Sequence, residues 1–302
     1  MKTPLFTALL LMSTLHLGCV QWVEHHRAPG SDGGSLPSTT EPCDSAAPFP
    51  RAEQTGWRHA RAELMPYTGS LVLTTPIELE GVDIPSCISI RSDGVILRQS
   101  RISAQGCSAS AAVTIDASVS GRSIGTVLED VEIDGASAGV DGVAAGSLVT
   151  LRRVDIHHVS MGVRQRTSAG VTIEDSFLHE VRGAGAVIAN GGFSRTTLCH
   201  NTLECPDCPA VLMFLGDAGP VQDVRVARNL IDGGNEYAVY AGSEAGKSYP
   251  VSSTTVFQGN RWGRTFFPLG GRYGAVVSFS TAGPGNLWLD NAFLTPEEQI
   301  LP

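Results

Sequence analysis

The sequence has few aromatic and charged residues and no extended helical pattern. Aromatic residues make up 6% and charged residues 17% of its 302 residues, whereas 34 residues are glycine. Val, Ile, Thr and Ser are plentiful, and these residues favour short β-strands with frequent turns between them. After the first residues, no apolar run is long enough to cross a membrane as a helix. The composition therefore predicts an all-β protein.

Basic residues are also scarce, with 21 Lys and Arg against 30 Asp and Glu and a formal net charge of −9. Without residues 1–18, in which Lys2 is the one charged residue, the net charge would be −10 (−9 minus 1). An acidic chain repels the phosphates of nucleic acids, so no nucleic-acid partner is expected. A polyanionic substrate would need a local basic groove or bound cations.

Residues 1–18 are typical of an export signal. Lys2 precedes a short apolar core, and the segment ends in Leu15-His-Leu-Gly-Cys19. This ending resembles the lipobox of bacterial lipoproteins, which implies a lipid on Cys19, although His16 stands where Leu is usual. The alternative is secretion after ordinary cleavage nearby. Residues 19–50 are rich in Gly, Pro, Ser and Thr and are predicted to form a flexible linker, so we expect an outer-membrane or cell-surface lipoprotein, or a secreted protein.

Seven cysteines are present, and six remain if Cys19 carries a lipid. An even number in an exported chain favours disulfides, with several connectivities open. Zinc binding by His200 with two of the cysteines is a weaker alternative, because no second ligand pair follows at finger spacing. The disulfide candidates are Cys87 with Cys107 and Cys205 with Cys208, beside Cys43 and Cys199.

A six-residue phrase recurs along the chain: an apolar residue, two variable residues, Asn, one variable residue and a second apolar residue. The step between its first residues varies from 18 (Leu79 to Leu97) to 31 (Leu97 to Leu128) residues. A recurring phrase at such spacing indicates a solenoid. We expect each Asn to occupy a sharp corner in the left-handed conformation and to stack on the next. The four Asn residues are Asn201, Asn229, Asn260 and Asn291.

Three short apolar strands surround each copy of the phrase. One alternating strand precedes the corner, a second follows it, and a third comes after a variable loop. Three strands per turn predict a parallel β-helix whose coils are about 4.8 Å apart. This domain is predicted to span residues 51–295, with residues 296–302 as a C-terminal tail.

The chain contains a set of short motifs that includes Pro66-Tyr67-Thr68-Gly69, Asn190-Gly191-Gly192, His200-Asn201-Thr202-Leu203 and Gly246-Lys247-Ser248-Tyr249-Pro250. As a set, these motifs resemble those of bacterial right-handed parallel β-helix repeat proteins with the pectin-lyase-like fold. The resemblance covers residues 47–293. It implies a right-handed helix and a fold that hosts pectate lyases, polygalacturonases, other polysaccharide-active enzymes and adhesins.

Aligning the coils arranges charged residues into columns. Before the corner, Glu129-Asp130, Arg152-Arg153 and Glu174-Asp175 occupy successive coils. The Arg pair could bind an acidic sugar. Because acidic pairs flank it on both sides, a column of surface ion pairs is the favoured interpretation.

A second column follows the corner strand and is predicted to face solvent. Glu204 and Asp232 would lie about 5 Å apart, as in retaining glycosidases. His157 and His179 could transfer protons or bind a metal, although the sequence defines no metal site. The alternative is a polar edge in which Asp134 pairs with His157 and His179 with Glu204. The candidate catalytic residues are His157, His179, Glu204 and Asp232, with Asp134 as a ligand-binding residue.

The outward face of the third strand is where enzymes of this fold usually place their groove. The clustered Asp residues and the Arg or Lys base of pectate lyases, and the several Asp residues with Gly-His-Gly of polygalacturonases, are not found here. No cofactor is therefore predicted, and calcium would need an Asp cluster that the sequence lacks. The expected occupants are Ala144, Arg164, Ile188, Phe214, Tyr240 and Val277, of which Arg164, Phe214 and Tyr240, with Arg166, Asp217 and Lys247 near the ends, are candidate ligand-binding residues.

The sequence favours a monomeric, lipid-anchored surface protein that binds or processes a polysaccharide or cell-surface glycan. Binding is placed ahead of catalysis because the expected acid and metal clusters are missing. The alternatives are a polysaccharide lyase or glycoside hydrolase, and a structural or adhesive surface protein without catalysis.

Overall fold

A computed structural model describes residues 47–117, 123–136, 139–189 and 194–302. The predicted signal peptide, Cys19, Cys43, most of the linker and the Asn190-Gly191-Gly192 motif lie outside these residues. Within the described ranges, the chain forms 28 short strands, a 3₁₀ turn at Ala52–Gln54 and one α-helix, α1, at Gly56–Ala60. No helix of the described residues is long and apolar enough to cross a membrane.

The strands form three parallel sheets. Sheet 1 contains β1 (Met65–Pro66), β4 (Val82–Ile84), β7 (Arg101–Ser103), β10 (Glu132–Asp134), β13 (Asp155–His157), β16 (Phe177–Leu178), β19 (Thr202–Cys205), β22 (Leu230–Gly233), β25 (Arg261–Trp262) and β28 (Ala292–Phe293). Sheet 2 contains β2 (Val72–Leu73), β5 (Ile88–Ile90), β8 (Ala111–Ile115), β11 (Asp141–Ala145), β14 (Val163–Gln165), β17 (Val187–Ala189), β20 (Leu212–Phe214), β23 (Tyr237–Ala241) and β26 (Gly274–Val277). Sheet 3 contains β3 (Ile77–Glu80), β6 (Val95–Arg98), β9 (Thr126–Glu129), β12 (Val149–Arg152), β15 (Val171–Glu174), β18 (Ser194–Cys199), β21 (Gln222–Ala227), β24 (Ser253–Gln258) and β27 (Leu287–Leu289).

Each strand pairs with the strand three positions later in the chain, so one coil contributes one strand to every sheet. In sheet 3, Leu128 pairs with Leu151, and Leu151 pairs with Ile173. The same register continues through Leu198 to Val226. The predicted all-β parallel β-helix with three strands per coil is confirmed, and so is the predicted alignment of its coils.

Apolar side chains of successive coils stack inside the helix, and Phe214 is among them. The prediction that Phe214 faces outward is wrong, because this side chain is fully buried and packs against Phe257. Met213 takes the outward position instead and pairs with Ile188 and Tyr240. A shift of one residue moves a strand side chain to the opposite face of the sheet. Phe214 is therefore a core residue and not a ligand-binding residue.

The four Asn residues form a buried amide ladder along the helix axis. The Nδ2 atom of Asn201 donates to Oδ1 of Asn229 at 2.9 Å, and Asn229 donates to Asn260 at 3.0 Å. The stacking prediction is confirmed, but the backbone prediction is wrong. The left-handed residue is the one before each Asn, for example His200 at φ 52° and Arg228 at φ 53°. That turn leaves the Asn side chain pointing inward, where it satisfies backbone groups of neighbouring coils.

The C-terminal residues pack against the last coil. Ile300 is buried, its amide donates to the carbonyl of Asn291, and its own carbonyl accepts from the Trp288 indole at 2.7 Å. Glu298 also forms an ion pair with Arg264. Solenoids need such a cap because the last coil would otherwise expose its apolar interior.

Disulfides join Cys87 to Cys107 and Cys205 to Cys208, the two candidate pairs. Cys199 is also disulfide-bonded. Because the oxidised Cys205 and Cys208 offer no thiolate, the zinc alternative with His200 is wrong.

Candidate functional site

The column before the corner consists of ion pairs. Arg153 binds Asp130 at 2.7 Å and Glu129 at 2.9 Å, while Arg152 binds Glu174 at 3.1 Å. Acidic partners therefore occupy both guanidinium groups, as the surface-pair interpretation predicts.

The second column forms a histidine wall, defined as Asp134, His157 and His179 on the outer face of sheet 1. Asp134 and His157 are register partners in β10 and β13. The rings of His157 and His179 stack with centroids 5.2 Å apart, and Phe177 stacks on His179 at 4.1 Å. The fold thus brings these three predicted site residues together.

The other two predicted catalytic residues are not available as a carboxylate pair. Glu204 and Asp232 are register partners, as expected. However, Asp232 is only 2% exposed, because the chain at Gly263 and Thr265 lies directly against its carboxylate. The prediction that Asp232 faces solvent is therefore wrong. Glu204 forms an ion pair with Arg51, which the sequence did not indicate.

The predicted pairing of His179 with Glu204 is also wrong. The Nε2 atom of His179 lies 3.0 Å from Asp155 Oδ1, in the strand one coil earlier. The predicted pair of Asp134 and His157 is present at 3.8 Å.

Residues 47–60 cross the outer face of sheet 1 as a strap. Its contacts include the Ala47 carbonyl with His200 at 3.0 Å and the Gly56 amide, which donates to the Arg153 carbonyl at 2.8 Å. Arg58 forms an ion pair with the buried Glu132. The strap is anchored at several points along the face where the sequence placed catalysis.

Two neighbours of the histidine wall were missed by the sequence argument. His158 lies beside His157, with the two Nδ1 atoms 2.8 Å apart, and Glu180 binds His158 at 2.7 Å. Strand alternation assigns His158 to the opposite face from His157. The available signal is the alignment of coils, which places His158 and Glu180 in one column, both with a left-handed backbone.

Burial and charge act in opposite directions on the pKa values of the wall. Burial acts to lower the pKa of His157, but the carboxylates of Glu132, Asp155 and Asp134 outweigh it and raise the value. Burial acts to raise the pKa of Asp134, and hydrogen bonding by the Ala136 amide with the nearby imidazoles lowers it below its ordinary value. The carboxylates therefore favour the protonated, positively charged form of His157.

The outer face of sheet 2 carries the predicted arginines. Arg164 binds Asp141 at 2.8 Å, and Arg166 binds Asp116 at 3.1 Å. Burial raises the pKa of Asp141, although Arg164 acts to lower it. Lys247 binds Asp217 at 3.1 Å in a separate pair. Each of the three predicted cations thus has an acidic partner.

A tyrosine cluster, defined as Tyr237, Tyr240 and Tyr273, stands on the same outer face. The rings of Tyr237 and Tyr240 meet edge to face at 6.0 Å, and those of Tyr237 and Tyr273 at 6.1 Å. The Tyr240 hydroxyl donates to Glu236, and Arg272 lies over the Tyr273 ring at 5.7 Å. Burial and the Glu236 carboxylate raise the pKa of Tyr240, so its phenol remains a donor at neutral pH.

Of this cluster, the sequence predicted Tyr240 alone. Tyr273 belongs to the loop that precedes β26. The backbone amide of Tyr273 donates to the carbonyl of Glu236 at 2.7 Å, which holds this loop against the segment before β23. Strand alternation says nothing about where a loop residue lies.

Comparison of this chain with protein-family models, with curated proteins and with solved structures gives no match.

Proposed function

We propose that this protein is a lipid-anchored β-helix of the bacterial cell surface that binds a polysaccharide through the tyrosine cluster. The observation that carries the proposal is the grouping of three tyrosines on one outer face beside a carboxylate and a guanidinium. Tyr273 is 59% exposed, and Tyr237 and Tyr240 are partly exposed beside it.

The chemistry of the cluster fits a sugar. The C–H face of a pyranose is apolar and packs against an aromatic ring, while its hydroxyls need hydrogen-bond partners at the ring edge. Tyrosine supplies both an apolar face and a polar tip. Glu236 and Arg272 add an acceptor and donors next to the rings.

The sheet extends the surface over several sugar units. Arg164, Met213 and Tyr240 are partly exposed on the outer face of sheet 2, and Ile188, in register between Arg164 and Met213, is only 3% exposed. Three coil steps of about 4.8 Å separate Arg164 from Tyr240, or about 14 Å in all. A polymer lying along this face would reach further contacts than a single sugar.

Binding is preferred to cleavage because the predicted acid pair is not exposed. Glu204 is paired with Arg51, and Asp232 is buried. The resemblance to pectin-lyase-like proteins supports a polysaccharide ligand, since that fold hosts both polysaccharide-active enzymes and adhesins.

Export is supported by the disulfides of the described residues, because disulfides persist mainly in oxidising compartments. Incorporation of radiolabelled palmitate by the full chain, and its loss in Cys19→Ser, is the expected result for a lipid anchor. Equal labelling of both proteins, or labelling of neither, would contradict the anchor.

The ligand proposal is tested with a glycan array, followed by calorimetry on the glycan that binds. Tyr240→Ala and Tyr273→Ala should each weaken binding at least about tenfold, since each removes a ring face. Tyr249→Ala is the matched control, because Tyr249 is 43% exposed and lies outside the cluster. Equal affinity in all three variants would contradict the proposal that the tyrosine cluster binds the glycan.

Assays for reducing ends and unsaturated products run beside the binding assay. Turnover abolished by Glu204→Gln or His179→Ala would favour the lyase or hydrolase alternative. Neither binding nor turnover would leave a structural or adhesive protein.

A further inference from the structure

Three potential metal ligands converge on the outer face of sheet 1. The Nδ1 atoms of His157 and His158 are 2.8 Å apart. Asp134 Oδ1 lies 3.2 Å from His158 Nδ1 and 3.8 Å from His157 Nδ1. Among the described residues, no other three His, Cys, Asp or Glu side chains bring ligand atoms so close together.

The backbone explains why two consecutive histidines meet. Neighbouring side chains of a regular strand point to opposite faces. His158 follows the end of β13 and has a left-handed backbone with φ 53°, which turns its side chain back beside His157. His179 stacks on the other side of the His157 ring and holds it in place.

Carboxylates face the outer nitrogens of both rings. Glu180 lies 2.7 Å from His158 Nε2, and Glu132 lies 3.6 Å from His157 Nε2. Glu180 lies within hydrogen-bond distance of His158 Nε2, and Glu132 is the carboxylate that faces His157 Nε2, so a metal ion bound at Nδ1 would leave the ring proton of each histidine on Nε2. Both Nδ1 lone pairs then point at one place, together with the Asp134 carboxylate. Three such acceptors repel one another unless a proton or a metal ion lies between them.

We propose that Asp134, His157 and His158 bind a divalent first-row transition-metal ion. Imidazole and carboxylate are suitable ligands for zinc, nickel and cobalt. Metal–nitrogen bonds of about 2.0–2.1 Å place two imidazole nitrogens about 2.9 Å apart at an octahedral centre and about 3.3 Å apart at a tetrahedral one. The observed separation therefore needs at most a small opening of the two rings.

Carboxylates that orient the two imidazole rings and a cavity through which an ion can enter surround the three ligand atoms. Carboxylates on the outer nitrogens of ligating histidines fix the tautomer and raise ligand basicity, and Glu132 and Glu180 occupy those positions. His158 also lines a cavity of about 180 Å³ with Ser160 and Arg182. Water in this cavity can fill the coordination positions that the protein leaves open. The site lies on sheet 1 and is independent of the proposed glycan surface on sheet 2.

The test is calorimetry of the full chain with Zn²⁺, together with the visible absorption of bound Co²⁺. One saturable site is expected, and its loss or a weakening of at least about 100-fold is expected in His158→Ala and in Asp134→Asn. Glu180→Gln should weaken binding about 10- to 100-fold without removing a ligand. Circular dichroism and thermal melting of each variant check that the fold is kept.

The matched control is the double variant His25→Ala/His26→Ala, which removes the other adjacent histidine pair of the chain, outside the described residues. It should retain the site. Unchanged affinity in His158→Ala, loss of the site in the control, or no saturable binding in the wild type would each overturn the proposal. A proton shared by the two Nδ1 atoms would then account for their approach.

Discussion

At the scale of single residues, each ladder Asn satisfies several buried backbone and amide groups. Asn229 accepts from the amide of Asn201 at 3.0 Å and donates to the carbonyl of Leu198 at 3.0 Å. The side-chain Nδ2 and the backbone nitrogen of Asn229 both donate to Oδ1 of Asn260. One side chain therefore joins three successive coils.

Asn229→Ala should lower the free energy of unfolding by about 2–4 kcal/mol, because buried groups that lose a partner each cost about 1–3 kcal/mol. Urea denaturation followed by circular dichroism measures the change. Asn235→Ala is the control, since Asn235 is exposed, and a change below about 0.5 kcal/mol is expected there. Similar values for the two variants would show that the ladder does not stabilise the coils.

His200 should make the anchoring of the strap depend on pH. Its hydrogen bond to Asp175 at 2.7 Å raises its pKa; burial and Arg228 act in the opposite direction, and the Ala47 carbonyl adds to the increase. A histidine with a raised folded pKa stabilises fully below its unfolded pKa of about 6.5. This stabilisation is lost as pH rises through the higher pKa of the folded state.

The stability difference between wild type and His200→Gln should therefore be largest near pH 5.5 and smallest near pH 8.5. Urea denaturation at several pH values measures this difference. Subtracting the free energies of unfolding of the two proteins at each pH cancels the contribution of the other titrating groups. The variant His59→Ala, which removes an exposed histidine of α1, is measured beside it as the control. A difference that grows with pH would contradict the assignment.

At the scale of elements, the alternation of apolar and polar residues and the alignment of the coils predict the strands and their pairing partners well. They fail where the local sequence does not fix the direction of a side chain. Residues 211–215 are all apolar, so their pattern could not decide that Phe214 points inward and Met213 outward. Asp232 is buried by a loop of the next coil, a contact that strand patterns do not encode.

In the candidate site too, the sequence predicts the contacts that follow from coil register and misses the others. Coil register brought Asp134 to His157, because both follow the same corner. The approach of His158 depends on one left-handed residue, and that of Tyr273 on a loop that returns to the sheet. The strap comes from residues far from the wall in sequence, so its contact with Glu204 had no signal in the coil alignment.

The strap should loosen when its two arginine contacts are removed. Exposed ion pairs contribute about 0.2–1 kcal/mol each, and loss of Arg58 also leaves the buried Glu132 without its cation, so Arg51→Ala/Arg58→Ala should speed amide exchange within residues 51–60 at least about threefold. Hydrogen-exchange mass spectrometry of the full chain measures this. Arg61→Ala should leave the rate unchanged, since Arg61 is exposed beyond the end of α1. Unaltered exchange in the double variant would mean that other contacts hold the strap.

At the scale of the whole molecule, the outer faces differ in access. The strap crosses sheet 1, while the tyrosine cluster stands exposed at one end of sheet 2. The C-terminal residues cap one end of the helix, and apolar residues remain exposed near the other, including Leu71, Val72 and Ile77. The proposed polysaccharide surface on sheet 2 and the proposed metal site on sheet 1 therefore lie on different faces of the molecule.

Hydroxyl-radical footprinting with the bound polysaccharide tests the central claim most directly, because it reports the exposure of individual tyrosine side chains. Tyr237, Tyr240 and Tyr273 should become protected when the polysaccharide binds. Tyr67 and Tyr249, which lie outside the cluster, serve as internal controls and should react as before. Protection of Phe177 and His179 on sheet 1 in place of the cluster, or equal protection of all five tyrosines, would contradict the proposed binding surface.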